Sequence, residues 1–249
     1  MIKAVLFDLD ETLLDIDLNA YLRMFALRRV RLLARIARRP SLQMALAFGG
    51  ATNAMMGPRD DELTNAAFLC ERMREQTGVP MDDPVIADCL DYYDCEAFNP
   101  AARATVRHRP MPGGHAAIEA ARSAGLRVAL ATNPTFPAQL TRERMAWAEL
   151  SESDFDAVTY LENATRTKPW ARYYQEVAAR LGCEPSECLM VGNDLKLDVA
   201  QQGCPLRTLY VGTKPDREGR CAWSGTMAEL AEGLSRILER LSKQDPTEA

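Results

Sequence analysis

Two aspartates, Asp8 and Asp10, follow directly on the apolar run Ala-Val-Leu-Phe at residues 4–7. In an extended segment, side chains two apart share a face, so both carboxylates can aim at one point. Two anions that close repel by roughly 4 kcal/mol at about 4 Å in an intermediate dielectric. Such a pair therefore asks for a cation, a shared proton or a cradle of hydrogen-bond donors. Three further clusters offer these. Thr132-Asn133-Pro134 supplies a hydroxyl and an amide in a turn. Lys168-Pro169 reads as the start of a helix, with proline in the first helical position and a lysine near the positive end of the dipole, where an anion would explain its presence. The run Gly192-Asn193-Asp194-Leu195-Lys196-Leu197-Asp198 supplies a turn and three hard oxygen donors, Asn193, Asp194 and Asp198, of the kind Mg²⁺ prefers. Each cluster has a plainer explanation as a solvated loop, an ordinary turn, a surface lysine or a helix cap.

The elements that must position these residues are also legible. Apolar runs at 4–7, 126–131, 189–191 and 206–211, with a weaker one at 155–160, alternate with helical patterns at 114–123, 137–150, 170–181 and 195–202. Strands alternating with helices predict an α/β fold, a doubly wound parallel sheet covered on both faces. Its ligand crevice lies beyond the carboxyl ends of the strands, which is where all four clusters fall. Between residues 15 and 109 the pattern is wholly helical, with breaks at Pro40, Gly49-Gly50, Gly57-Pro58, Gly78-Val79-Pro80 and Asn99-Pro100. This predicts an α/β core of residues 1–14 and 110–249 interrupted by a helical domain of residues 15–109. The polar segment 242–249 is expected to fray.

Composition narrows the function classes. A net charge of -5 gives no footprint for nucleic acid. Two histidines exclude a histidine-rich metal site, and seven scattered cysteines read as buried, reduced thiols. No run is long enough to span a membrane and no signal peptide is visible, so a cytoplasmic location is expected.

In this order and at these places, the four clusters resemble the motifs of the haloacid dehalogenase superfamily, most of whose members are phosphatases. The likeness covers roughly residues 1–14 and 110–215. Its first motif stands here as Phe7-Asp8-Leu9-Asp10-Glu11-Thr12, with Glu11 where the family often has glycine. A helical insertion directly after it resembles the subgroup with a C1-type cap. The resemblance implies that Asp8 is the nucleophile, forming an aspartyl-phosphate, and that Asp10 is the general acid and base. It implies that Thr12, Thr132, Asn133 and Lys168 bind the phosphoryl group of a small phosphorylated substrate. Mg²⁺ would be held by Asp8, the backbone carbonyl of Asp10 and a group from the last cluster, with Asp194 favoured over Asn193 and with Asp198 one turn further on. Asn193 stands where the family commonly has aspartate. The presence of Asp10 favours phosphoryl transfer over dehalogenation, and the lack of lysine between Asp15 and Arg109 disfavours a phosphonatase. A phosphomutase, or a catalytically silent binding protein on the same fold, is the alternative.

The helical insertion carries no matching motif. From residue 18 to 58 it has no acidic residue but arginines at 23, 28, 29, 31, 35, 38 and 39, and from 60 to 96 it is acidic. Mutual attraction of solvated helix faces accounts for this. The sharper expectation is that one arginine faces the cleft and binds a second anionic group of the substrate. Phe48, Met55 and Met56 are candidate cleft residues.

Overall fold

The computed structural model describes residues 1–199 and 203–244. Its centre is β1 (Ala4–Phe7), every side chain of which is buried. β1 pairs in parallel with β4 (Arg127–Leu130) on one side and with β6 (Cys188–Gly192) on the other. β5 (Ala157–Val158), β7 (Arg207–Tyr210) and β8 (Trp223–Ser224) complete a parallel sheet in the order β5-β4-β1-β6-β7-β8. Burial on both faces explains why the central strands read as unbroken apolar runs rather than alternating ones. The sheet agrees with the expected doubly wound α/β core. Strand β8, two residues long and half exposed, carries too little pattern to be seen in sequence.

Helices α6 (Gly114–Ser123), α7 (Ala138–Trp147) and α8 (Ala171–Arg180) fall where the periodicity places them. A further helix, α9 (Met227–Gln244), buries Leu230, Leu234, Ile237 and Leu241 along one stripe and packs on α6. Segment 242–244, expected to fray, thus continues a helix, while residues 245–249 lie outside the described part. The helix expected at 195–202 is instead a turn over residues 195–198, with 200–202 outside the described part.

Residues 14–110 open and close with a two-stranded antiparallel ribbon, β2 (Leu14–Ile16) against β3 (His108–Pro110). Asp15 fastens it by accepting from both Arg107 and Arg109 at 2.7 Å. Between the two strands run α1 (Leu18–Ala37), α2 (Ser41–Met56), α3 (Asn65–Thr77), α4 (Pro84–Tyr93) and α5 (Asn99–Thr105). Local signals start three of these helices: Asp17, Thr64 and Asp83 each accept a backbone N–H of the first turn. Gly49-Gly50 does not break α2 as expected, because Ala47, Phe48, Ala51 and Met55 hold that stretch against the core. The chain re-enters at Gly113, whose φ is +87° and whose missing Cβ would stand 2.7 Å from the backbone nitrogen of Ala228. The cysteines are free, but only Cys188 is buried, and Cys89 and Cys95 are exposed.

Candidate active site

β1 delivers Asp8. Its amide donates to the Val191 carbonyl at 2.9 Å, which continues the sheet one residue past the strand. The chain then turns back tightly, with Leu13 and Leu14 both donating to the Leu9 carbonyl. Glu11 sits in that turn at φ +59°, the left-handed region where glycine is unstrained.

Lys168 joins two carboxylates. Its Nζ donates to Asp8 Oδ1 at 2.7 Å and to Asp198 Oδ1 at 2.6 Å, with the lysine and Asp198 almost wholly buried. Burial pushes the Asp8 carboxyl up to about 7, Lys168 pulls against that, and Asp198 adds to the rise. Burial also works against the lysine's charge, but Asp198 and Asp8 more than offset it and raise its pKa well above the ordinary range. One ammonium thus serves two buried carboxylates, which leaves the site short of positive charge. Lys168 is not held by a helix start. The helix α8 begins at Ala171, and Lys168-Pro169, a cis peptide, lies in the turn before it. The ion pairs, rather than a helix dipole, account for the lysine.

Asp198 was expected among the metal ligands, but both its oxygens are engaged. Oδ1 takes Lys168 and Oδ2 accepts the Asp194 amide at 2.8 Å. Gly192 makes room for it: a Cβ there would stand 2.2 Å from the Asp198 carboxyl carbon. That close approach, not a sharp turn, is what the glycine provides. Asp194 Oδ1 caps its own turn by accepting the amides of Lys196 at 2.7 Å and Leu197 at 3.3 Å. Asn193 lies beside it on the cleft wall, and its Oδ1 accepts the Thr12 hydroxyl at 3.1 Å. Thr12, expected to bind substrate, is fully buried and does not line the cleft; its hydroxyl holds Asn193 instead.

Thr132 and Asn133 follow β4 and do line the cleft. The Thr132 carbonyl accepts the hydroxyls of Thr159 and Tyr173, both at 2.8 Å, and Asn133 Oδ1 accepts the Lys168 amide at 3.2 Å. The structure therefore brings Asp8, Asp10, Thr132, Asn133, Lys168, Asn193, Asp194 and Asp198 onto one cavity of about 490 Å³.

A residue that no sequence motif marks also belongs here. Arg144, on α7, has no exposed surface, and its Nε donates to Asp10 Oδ1 at 3.0 Å. Its guanidinium lies over the rings of Phe136 and Tyr21, and Nη1 donates to the Tyr21 hydroxyl at 3.3 Å. Within Arg142-Glu143-Arg144 nothing marks this arginine as buried, so no sequence signal distinguishes it.

The remaining cleft wall comes from the helices between β2 and β3. Phe48 and Met56 line it as expected, whereas Met55 is buried in the core. Of the arginines in the basic stretch, only Arg29 lines the cavity, and it is paired with Asp94, itself also held by Gln139. Trp170 Nε1 donates to the Met56 carbonyl at 2.8 Å, tying the turn after Lys168 to the end of α2.

Among the described residues no three His, Cys, Asp or Glu side chains converge into a metal cage. Mg²⁺ does not require one, since it keeps several waters and commonly takes one or two protein carboxylates. Hard oxygen donors at Asp8, Asp10, Asn193 and Asp194, together with the shortage of positive charge at Asp8, fit such an ion.

A family model for haloacid dehalogenase-like hydrolases matches residues 2–200. The chain belongs to that family. Solved structures with the same fold include a HAD phosphatase from Thermococcus onnurineus, at 20% identity over 94% of this chain and 98% of that one, with a TM-score of 0.56. CbbY from Rhodobacter sphaeroides, in complex with phosphate, is 22% identical over 92% and 96% of the two chains, with a TM-score of 0.55. A HAD family hydrolase from Deinococcus radiodurans R1, with bound phosphate and sodium, is 21% identical over 95% and 96%, with a TM-score of 0.52. At these identities the likeness is one of fold. No curated protein matches in sequence at a significant level. Among the described residues no helix is long and apolar enough to cross a membrane.

Proposed function

We propose that this HAD-like hydrolase is a Mg²⁺-dependent phosphatase of phosphate monoesters that works through a phosphorylated Asp8. The observation that carries the reading is Lys168 Nζ, held 2.7 Å from Asp8 Oδ1 and fixed from behind by Asp198. This arrangement keeps a nucleophilic carboxylate oriented on the cavity floor with a cation beside the place where phosphoryl oxygens would gather.

In the first half-reaction an Asp8 oxygen bonds to phosphorus while the bond from phosphorus to the ester oxygen breaks. Asp10, entering this step protonated, delivers its proton to that leaving oxygen, and the alcohol departs. In the second half-reaction water attacks phosphorus, Asp10 takes the proton from that water, and the bond to Asp8 breaks. Inorganic phosphate is released and both carboxyls return to their starting states. Lys168, the Thr132 hydroxyl and donors around Asn133 stabilise the transferring group. Asp8, the backbone carbonyl of Asp10 and Asp194 or Asn193 would hold Mg²⁺, which supplies charge neutralisation for the phosphoryl oxygens. Residues 15–109 act as the cap that selects the organic part of the substrate.

The test is phosphate release from an aryl phosphate, with and without Mg²⁺, by the full chain and by Asp8→Asn. Release that needs Mg²⁺ and vanishes in the variant, with phosphate trapped on Asp8 by rapid acid quench and mass spectrometry, is the expected result. Failure to release phosphate from a broad panel, with Asp8 never labelled, would sink the reading.

A further inference from the structure

The cavity has two chemically distinct ends. Its floor is the charged cluster around Asp8 and Lys168, and its far wall is built by the cap. That wall is apolar: Leu18, Leu22, Phe25, Phe48, Met56 and Met81 face the same space. Leu22 and Met56, both in the lining, are 42% and 39% exposed, so large apolar side chains stay in contact with water. Surface of this kind gains when an apolar ligand covers it.

The cap offers little for a charged or polyhydroxylated ligand. Its one charged side chain in the lining, among the described residues, is Arg29, and the buried carboxylate of Asp94 already neutralises it. A second phosphate or a carboxylate on the substrate would thus bring an anion beside an ion pair with no net charge to offer. A sugar would bury several hydroxyls where the wall offers few partners, and unpaired buried hydroxyls oppose binding. The polar groups on this wall are Thr52 and Asn53. The Thr52 hydroxyl is buried without a hydrogen-bond partner among the described residues, so the wall can satisfy one isolated polar group on a ligand.

From this wall we infer that the substrate is the phosphate monoester of a mainly apolar alcohol, an alkyl or aryl chain whose hydrocarbon lies against α1 and α2 of the cap. The phosphate end of this inference rests on the phosphatase reading above; the hydrocarbon end rests on the cap alone. It reverses the expectation that a cap arginine anchors a second anion.

The experiment compares hexyl phosphate, methyl phosphate, glucose 6-phosphate and phosphoglycolate on the full chain with Mg²⁺, all phosphate monoesters of alcohols, the last with a carboxylate as well. Hexyl phosphate is expected to exceed glucose 6-phosphate and phosphoglycolate in kcat/KM by about tenfold or more, since each added methylene contributes to discrimination. Leu22→Asn, at a half-exposed position where folding is not at stake, is expected to lower kcat/KM for hexyl phosphate several-fold more than for methyl phosphate. Preference for glucose 6-phosphate or phosphoglycolate, or an equal effect of Leu22→Asn on hexyl and methyl phosphate, would overturn the inference while leaving the phosphatase reading intact. Calorimetric binding of hexyl phosphate and glucose 6-phosphate covers the remaining case. If nothing is hydrolysed but hexyl phosphate binds more tightly, the apolar pocket stands and the phosphatase reading falls. If neither is hydrolysed and hexyl phosphate binds no better, both fall.

Discussion

Arg144 Nε donates to Asp10 Oδ1 at 3.0 Å from a side chain with no exposed surface. The guanidinium lies against Phe136 and Tyr21, and its Nη2 has no hydrogen-bond partner among the described residues. The Nε donor holds the Asp10 carboxylate in one orientation. Arg144→Met keeps most of the packed volume but leaves the Asp10 carboxylate without its cation, so stability is expected to fall by up to about 3 kcal/mol, the lower end for breaking a buried pair. In the same variant kcat is expected to fall about a hundredfold, the cost of a misplaced acid. Denaturant unfolding and steady-state kinetics on one preparation check both halves. A loss of stability with unchanged kcat would show that the pair is structural.

The single ammonium between two buried carboxylates leads to a stability prediction for the metal-free chain. Burial raises the Asp8 pKa to about 7 in the folded state from its ordinary value of 3.8. A group raised on folding adds stability that is fully present below its unfolded pKa and is lost as pH rises through its folded pKa. In chelator, the melting temperature is therefore expected to fall between about pH 4 and pH 7 through this group, and Asp8→Asn is expected to flatten that slope and to melt higher at pH 8. Adding Mg²⁺ should raise the melting temperature of the parent but not of Asp8→Asn. Thermal unfolding followed by circular dichroism reads all of these without relying on turnover.

Gly192 is held to glycine by space. With a methyl group 2.2 Å from the Asp198 carboxyl carbon, something must shift, and Asp198 is the partner that holds Lys168 in place. Gly192→Ala is expected to cost about 1–3 kcal/mol in stability, as overpacking does. It should also remove most phosphate release, because Lys168 loses its fixed distance to Asp8. Urea unfolding paired with an aryl phosphate assay tests this, and an unimpaired variant would mean that Asp198 has freedom to move.

Arg29 and Asp94 control the charge of the cap wall. Asp94→Asn preserves the shape and a hydrogen bond but leaves the arginine charge facing the cavity. Relative kcat/KM for phosphoglycolate over hexyl phosphate is expected to rise several-fold. Stability is expected to fall by up to about 3 kcal/mol, the lower end for breaking a buried pair. An unchanged ratio would show that Arg29 does not reach the ligand.

The layout of the core is written in the pattern of apolar runs. Buried parallel strands such as Ala4–Phe7 and Cys188–Gly192 must be apolar throughout, so they stand out, and the residues just past them mark the crevice. Asp8, Asp10, Thr132 and Asn133 are legible for that reason, whereas Lys168 stands out only as a lysine before proline, although no helix starts there. The short ribbon strands and β8 are not legible, because two or three residues hold no period. Which polar groups meet depends on how those elements pack. Packing turned Thr12 inward onto Asn193, gave Asp198 to Lys168, and brought Arg144 across 134 residues of chain to Asp10. In the cap it chose one arginine of seven to face the cleft and cancelled its charge with Asp94. Periodicity reports which side of a helix is apolar. What that side faces depends on how separate elements pack together, and in this chain that packing decides what the cleft can bind.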